Sequence, residues 1–237
     1  MKRILLVVFA LLLTTIGSVW AGPYELVMSK NKKFCKAMLV LYNEDVNSYR
    51  YGEIKYDTHE IFTRISWQPV DLNEKEHPTY GCSFVKQALF DIDNDGKNDL
   101  VIKYSGCLRD DLTDSLFVFA PDSDILSKLK PGLGGLAPLF KTLNKINRNT
   151  YDLKELPKSV EEKLVTKIRK QLPESSKNLD IKIGIGGVFI LQPFIWDTTS
   201  YISMTDLHQE WIVVAKYKQA EEMQDICYFH GPDFYKR

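Results

Sequence analysis

The sequence predicts an α+β chain that is predominantly antiparallel β, with two β-meander segments and a helical segment between them; a partial or degenerate propeller-like sheet is the variant of that plan. Three observations predict it. "SFVKQALFDI", "DLVIKYS" and "SLFVFAP" are β-rich runs parted by polar turns. "GGVFILQPFIW", "TSYISMTD", "EWIVVAKYK" and "DICYFHG" form a second set, rich in β-branched and aromatic residues at a spacing of about ten. Between them, "SVEEKLVTKIRKQLP" has the apolar period of a helix.

The chain begins "MKRILLVVFALLLTTIGSVWA": Lys2 and Arg3, an apolar stretch from Ile4 to about Ile16, then Val19 and Ala21 as small residues at a cleavage site. This is the layout of a secretory signal peptide over residues 1–21, which leaves 22–237 as a single β-rich domain. A bilayer crossing needs about 20 apolar residues, and this stretch breaks at "TTIGS". No Cys follows it where lipid could be attached. The chain has 31 basic and 31 acidic residues, so losing Lys2 and Arg3 leaves a formal charge of −2, which recruits neither nucleic acid nor anionic membrane. The expected product is periplasmic or secreted, without membrane insertion after signal cleavage.

Cys35, Cys82, Cys107 and Cys227 all fall in the exported part. An oxidising compartment favours pairing them, in one of three connectivities. Zinc is the rival use, but there is no C-x-x-C pair and the histidines are scattered.

Along the mature chain, "NKKFCKAMLVLYNEDV" places Phe34, Ala37, Met38 and Leu41 at helical spacing, with Cys35 on the same helix. "EIFTRISWQPV" alternates as a strand would, with Ile61, Thr63, Ile65 and Trp67 on one side. A polar loop then leads to the first meander. The helical segment covers about 139–178. In it, Ser159 and Glu162 have capping-box spacing, Val160, Leu164, Ile168 and Leu172 share a face, and Pro173 is the stop.

The chemistry concentrates in "FDIDNDGKNDLVIKY" at 90–104, between two strand-like runs. With Asp91 as the first position, oxygen ligands fall at Asp91, Asp93 and Asp95, glycine is sixth at Gly96, the carbonyl of Lys97 is seventh and Asp99 is ninth. Hard cations such as calcium take six to eight oxygens, and Gly96 permits the positive φ of a tight reversal. Without a cation the charges oppose one another. Two like charges about 4 Å apart repel by on the order of 1 kcal/mol even in water, and by several times that near a protein surface.

These residues resemble the calcium loop of the FG-GAP and VCBS repeats of integrin-type β-propellers and exported bacterial proteins, including the strand entry "ALF" and exit "DLVI". The resemblance covers about 15 residues. It implies Ca2+ bound by Asp91, Asp93, Asp95, the Lys97 carbonyl and Asp99. That family repeats the motif, whereas this chain has it once. Three other readings compete with it. An EF-hand needs an acid at the twelfth position, which is Ile102, and flanking helices. A haloacid dehalogenase opens with a similar "LFDID" but does not resume a strand eight residues later. The third is a solvated acidic turn without metal.

If the loop closes a hairpin, residues whose numbers sum to about 190 face each other, and Cys82 with Cys107 sum to 189. That favours pairing them, with a bulge near Gly106 if the register is 190. Cys35 with Cys227 is the complement.

Other candidates are plain. "GLGGLA" at 132–137 fits a dinucleotide fingerprint formally, but Pro131 and Pro138 flank it, so it reads as a turn. Asp110, Asp111 and Asp114 are expected in a solvated loop, with a carboxylate pair for hydrolysis as the sharper reading. His59, His77, His208 and His230 have no metal-binding spacing, and no Ser or Cys sits in a nucleophile motif. Trp67, Trp196 and Trp211, with Tyr201 and Tyr228, are expected in the core rather than on a sugar platform. The expectation is an exported calcium-binding protein with a non-catalytic binding or structural role toward a protein or glycan partner. A calcium-assisted hydrolase of the cell envelope is the alternative.

Overall fold

The computed structural model describes residues 24–46, 60–72, 84–108, 111–130, 133–147, 152–178, 180–181, 183–186, 188–206, 210–218 and 223–231. The signal-like segment, Cys82, Asp110, His59, His77 and His208 lie outside them. The chain is α+β and mostly antiparallel β, built on two separate five-stranded sheets.

The first sheet comprises β1 (Glu25–Ser29), β9 (Val188–Trp196), β10 (Thr199–Asp206), β11 (Trp211–Lys216) and β12 (Gln224–His230), in the order β1-β12-β11-β10-β9. The second holds β2 (Gln68–Pro69), β3 (Phe84–Phe90), β4 (Asp99–Leu108), β5 (Asp111–Phe119) and β6 (Lys145–Ile146), in chain order. Both meanders are therefore present, as two sheets rather than one sheet system. A two-stranded ribbon, β7 (Asp152–Glu155) with β8 (Gly184–Gly186), accompanies them.

Each sheet is apolar on both faces. Along β11, Trp211, Val213 and Ala215 enter the core shared with the second sheet, while Ile212 and Val214 face the other way. The second sheet divides likewise: Val101, Leu116 and Val118 join the shared core, and Leu100, Ile102 and Phe117 line the opposite face. At about 1.5–3 kcal/mol per fully buried aliphatic or phenyl side chain, neither outer face could stay in water. Helices cover them. Helix α1 (Lys32–Val46) lays Phe34, Cys35, Met38, Leu41 and Tyr42 on the first sheet. The 3-10 turns Asp124–Lys128 and Leu133–Leu136, with α3 (Ala137–Phe140), cap the second through Ile125, Leu129, Leu136 and Leu139. Helix α4 (Lys158–Gln171) seals the shared core with Val160 and Leu164. The layering is helix, sheet, sheet, helix.

Several expectations are corrected. Residues 60–70 are not one strand: α2 (Glu60–Thr63) precedes the two-residue β2. Ile61 and Phe62 are adjacent yet both buried, and Phe62 packs edge-to-face on Phe194 of β9 at 5.1 Å. A helical turn can bury neighbours on one surface where a strand would separate them. The segment 139–178 is helical over only part of its length and also carries β6 and β7. The capping box is absent, because α4 begins two residues earlier, behind Pro157. The Pro157 carbonyl accepts from Val160 N at 2.7 Å, and Ser159 is already inside the helix. Pro138 does not interrupt a helix but sits in the first turn of α3, where a missing N–H costs nothing. Three of the five aromatic residues are core, as expected: Trp211 and Tyr228 are each 1% exposed, and Tyr201 is buried, whereas Trp67 and Trp196 are partly buried and pack against the margins of the clusters.

Cys35 and Cys227 form a disulfide with Cα atoms 5.7 Å apart, tying α1 to β12 across 192 residues. Such bonds persist in oxidising, exported compartments. Among the described residues no helix is long and apolar enough to cross a membrane.

Candidate metal centre

The β3–β4 hairpin pairs Phe84 with Ser105, Leu89 with Leu100 and Phe90 with Asp99. Its register sums to 189 throughout, so the bulge that a register of 190 would require is not there. The tip is residues 91–98. Ile92, 1% exposed, drives down into the shared core, which turns the flanking Asp91 and Asp93 to the other side. Asp99 returns as the first residue of β4.

One oxygen each from Asp91, Asp93 and Asp99 lies within 4.8 Å of the other two. Backbone amides curl the loop around them: Asp95 N donates to Asp91 Oδ1 (3.0 Å) and Asp93 Oδ1 (3.1 Å), Gly96 N to Asp91 Oδ2 (2.9 Å), and Ile92 N to Asp99 Oδ2 (3.4 Å). Two residues take positive φ to make this possible, Asn94 at 63° and Gly96 at 89°. A Cβ on Gly96 would meet nothing within 4 Å. The glycine there serves conformation, not space.

The electrostatics record the crowding. Burial first, then the charge of Asp93, pushes the Asp99 carboxyl up to about 6. Asp93 is raised as well, first by burial and then by Asp95 and Asp91, against a lowering hydrogen bond from the Asp95 amide. Tyr217, just past β11, is pushed up to about 12 by burial and then by the charges of Asp93 and Asp99. A proton is thus held where a cation would neutralise the same field.

The donor set suits a hard cation. Three carboxylates, each with about four lone-pair sites, exceed the amides that bind them and supply three to six oxygens, with water to complete six to eight. Among the described residues no thiolate or imidazole joins the cluster to favour a softer metal.

Of the five expected ligands, the structure brings together Asp91, Asp93 and Asp99. Asp95 is exposed outside the trio, its Oδ1 accepting from Lys97 N at 2.8 Å, and Lys97 is exposed at the tip.

Sequence reasoning missed what holds the loop. Asn94 Oδ1 accepts from Ser200 N (2.7 Å), Asn94 Nδ2 donates to Ser200 O (3.2 Å), and Ser200 Oγ donates to the Asp91 carbonyl (2.5 Å). The tip of one sheet is thereby clamped to β10 of the other. The signal for it was faint: Asn tolerates the left-handed region better than other residues, but nothing local names a partner 106 positions away.

Of the hydrolase carboxylates, Asp110 lies outside the described residues and only Asp114 has a described side chain. Asp114 is not in a solvated loop; it is 5% exposed on β5, 2.8 Å from Lys103 Nζ, accepting from Ser105 Oγ (2.5 Å) and Leu191 N (3.0 Å). His230 is half-buried beside Trp211, and burial lowers its imidazole. Compared with known proteins, the chain matches no family model, and neither a curated protein nor a solved structure is similar to it.

Proposed function

We propose that this chain is an exported calcium-binding protein, with an FG-GAP/VCBS-like loop in a binding or structural role rather than a catalytic one. The observation that carries the reading is the convergence of Asp91, Asp93 and Asp99 oxygens within 4.8 Å at a hairpin tip, where repulsion and burial already raise two of the three carboxyls. Calcium is favoured over magnesium because a loop of mixed turns offers irregular oxygens, whereas magnesium demands near-ideal octahedral geometry. Asp95 and the Lys97 carbonyl would join the trio by a small rearrangement of the exposed tip.

Extracellular sites of this kind bind at about 10⁻⁴ to 10⁻³ M. At about 10 mM calcium and a Kd of about 1 mM, mass action stabilises the fold by about 1.4 kcal/mol. For a chain of this size that is a rise in Tm of about 3–5 °C. The test is thermal unfolding of the mature chain with and without calcium, alongside the Asp93→Asn/Asp99→Asn double variant. The wild type should gain those degrees and the variant should not. An equal rise in both would place the ion elsewhere, and no rise in the wild type would end the calcium reading.

A further inference from the structure

The near-neutral sum of charge over the whole chain conceals a segregation. Residues 125–147, which cap the outer face of the second sheet and end in β6, contain Lys128, Lys130, Lys141 and Lys145 but no aspartate or glutamate. All four lysines are exposed. Among the described residues only Lys128 has an acidic partner, Asp124 at 2.6 Å.

The same cap leaves part of its apolar surface in water. Ile125, Leu129, Leu136 and Leu139 are buried against the sheet, but Phe140 is 43% exposed and Leu143 is 95% exposed. Leu89, 59% exposed, belongs to this side too, because it pairs with Leu100 and shares its outer face. These are three of the five large apolar side chains exposed among the described residues. One exposed leucine is ordinary, but three residues gathered on one side form a surface.

The 140–145 turn is held in shape. Phe140 rests edge-to-face on Phe117 at 5.2 Å and on Tyr104 at 6.0 Å. Lys145 Nζ donates to the Phe140 carbonyl at 3.4 Å, Asn144 N donates to Thr142 Oγ1 at 3.2 Å, and the Asn144 carbonyl accepts from Val118 N at 3.0 Å. Leu143 is thereby presented outward, with Lys141 and Lys145 two residues away on either side.

We propose that this turn is a docking surface for an anionic lipid membrane, with Leu143 and the exposed edge of Phe140 entering the headgroup boundary while Lys130, Lys141 and Lys145 meet lipid phosphates. An apolar tip among bases, with no acid in its own segment, is the pattern of interfacial binding. Lysines at an anionic surface are attracted within a Debye length, so the local charge counts and not the sum over the chain. Shape decides for lipid over a folded partner. A leucine that stands almost wholly clear of its neighbours is enclosed by a deformable bilayer, whereas a protein must offer a pit that matches it. The proposal is independent of the calcium reading.

The test is cosedimentation of the mature chain with vesicles of phosphatidylglycerol and phosphatidylcholine, and with vesicles of phosphatidylcholine alone. Chelator is present throughout, so that no cation bridges carboxylate to lipid. The wild type should sediment with the anionic vesicles only, and added salt should release it. Leu143→Ser removes a side chain that supports nothing inside the fold and should weaken the partition by about tenfold. Lys141→Gln with Lys145→Gln should weaken it by about fivefold for each lysine. As a measure of depth, Leu143→Trp should gain emission that shifts to the blue when anionic vesicles are added. Sedimentation with neither vesicle, with both equally, or as strongly by Leu143→Ser as by the wild type overturns the proposal. So does a vesicle-free dimer that Leu143→Ser dissolves, which gives the tip to a second copy of the chain. Retention on immobilised polyglutamate without vesicle binding, lost in the lysine variant, overturns it in favour of an acidic protein.

Discussion

At the scale of single residues, the behaviour of the site is dominated by Asp99. Its carboxyl stands at about 6 in the ion-free fold, against an ordinary value near 3.9 in the unfolded chain. The folded state holds that proton more tightly, so the contribution of Asp99 to stability is fully present below the unfolded value and is lost as pH rises through about 6. In chelator, the urea midpoint is expected to fall between about pH 4 and pH 7 from this source. Calcium should remove the decline, because the ion prefers the ionised carboxylates. Asp99→Asn should flatten the slope in chelator and also lose the response to calcium. Chelator profiles of wild type and variant that superimpose would show that Asp99 is not the group concerned. Because His230 is lowered by burial, it contributes a slope of opposite sign below its ordinary value, so the comparison with Asp99→Asn isolates the carboxyl.

Among the elements, the hairpin loop depends on its clamp as much as on its own turns. Asn94→Gly keeps the positive φ without strain but leaves the N–H and C=O of Ser200 without their partners. It is expected to cost about 1–3 kcal/mol, read as a lowered urea midpoint with an unchanged m value; no change would mean that water serves Ser200 equally well. The hairpin itself was legible because its polar tip lies between runs whose positions pair by simple counting, and α1 because Phe34, Met38 and Leu41 recur on one face. The clamp was not, since Ser200 carries no local mark of a partner. Residues 60–70 misled because Ile61, Ile65 and Trp67 fit a strand as well as a turn, and docking on Phe194 decided between them. The cysteines were half tested. Cys35–Cys227 is present, while Cys82 lies outside the described residues. Mass mapping of non-reduced peptides is expected to find Cys82 joined to Cys107, in keeping with the register of 189 in the ladder beside them; free thiols at both positions would refute the pairing.

For the whole molecule, the question is what joins two sheets that are each complete in themselves. Apolar contact is one part, and it is non-directional. A directional part lies where β9, the edge of the first sheet, meets β5. An edge strand leaves backbone groups unpaired, and here Leu191 gives its N–H to Asp114 Oδ2 at 3.0 Å while its carbonyl accepts from Lys103 Nζ at 2.8 Å. The ion pair thus substitutes for a neighbouring strand. Its residues were placed by alternation: Val101, Lys103 and Ser105 share one face of β4, and Asp114, Leu116 and Val118 the matching face of β5. Parity along those strands put both charges on a core face, a signal that a solvated-loop reading of "RDDLTD" passes over. Asp114→Ala would leave the half-buried Lys103 without its counter-charge, and the N–H of Leu191 without an acceptor, at an expected cost of about 3–5 kcal/mol. Replacing both partners by apolar residues, Lys103→Met with Asp114→Leu, should recover much of that loss, since no isolated charge remains. It should not recover the sheet-to-sheet alignment, because Leu191 would then have neither partner. Hydrogen exchange at the Leu191 amide separates the two effects: it should be fast in the double variant even where the urea midpoint is restored. Slow exchange there would mean that apolar packing alone fixes the two sheets together.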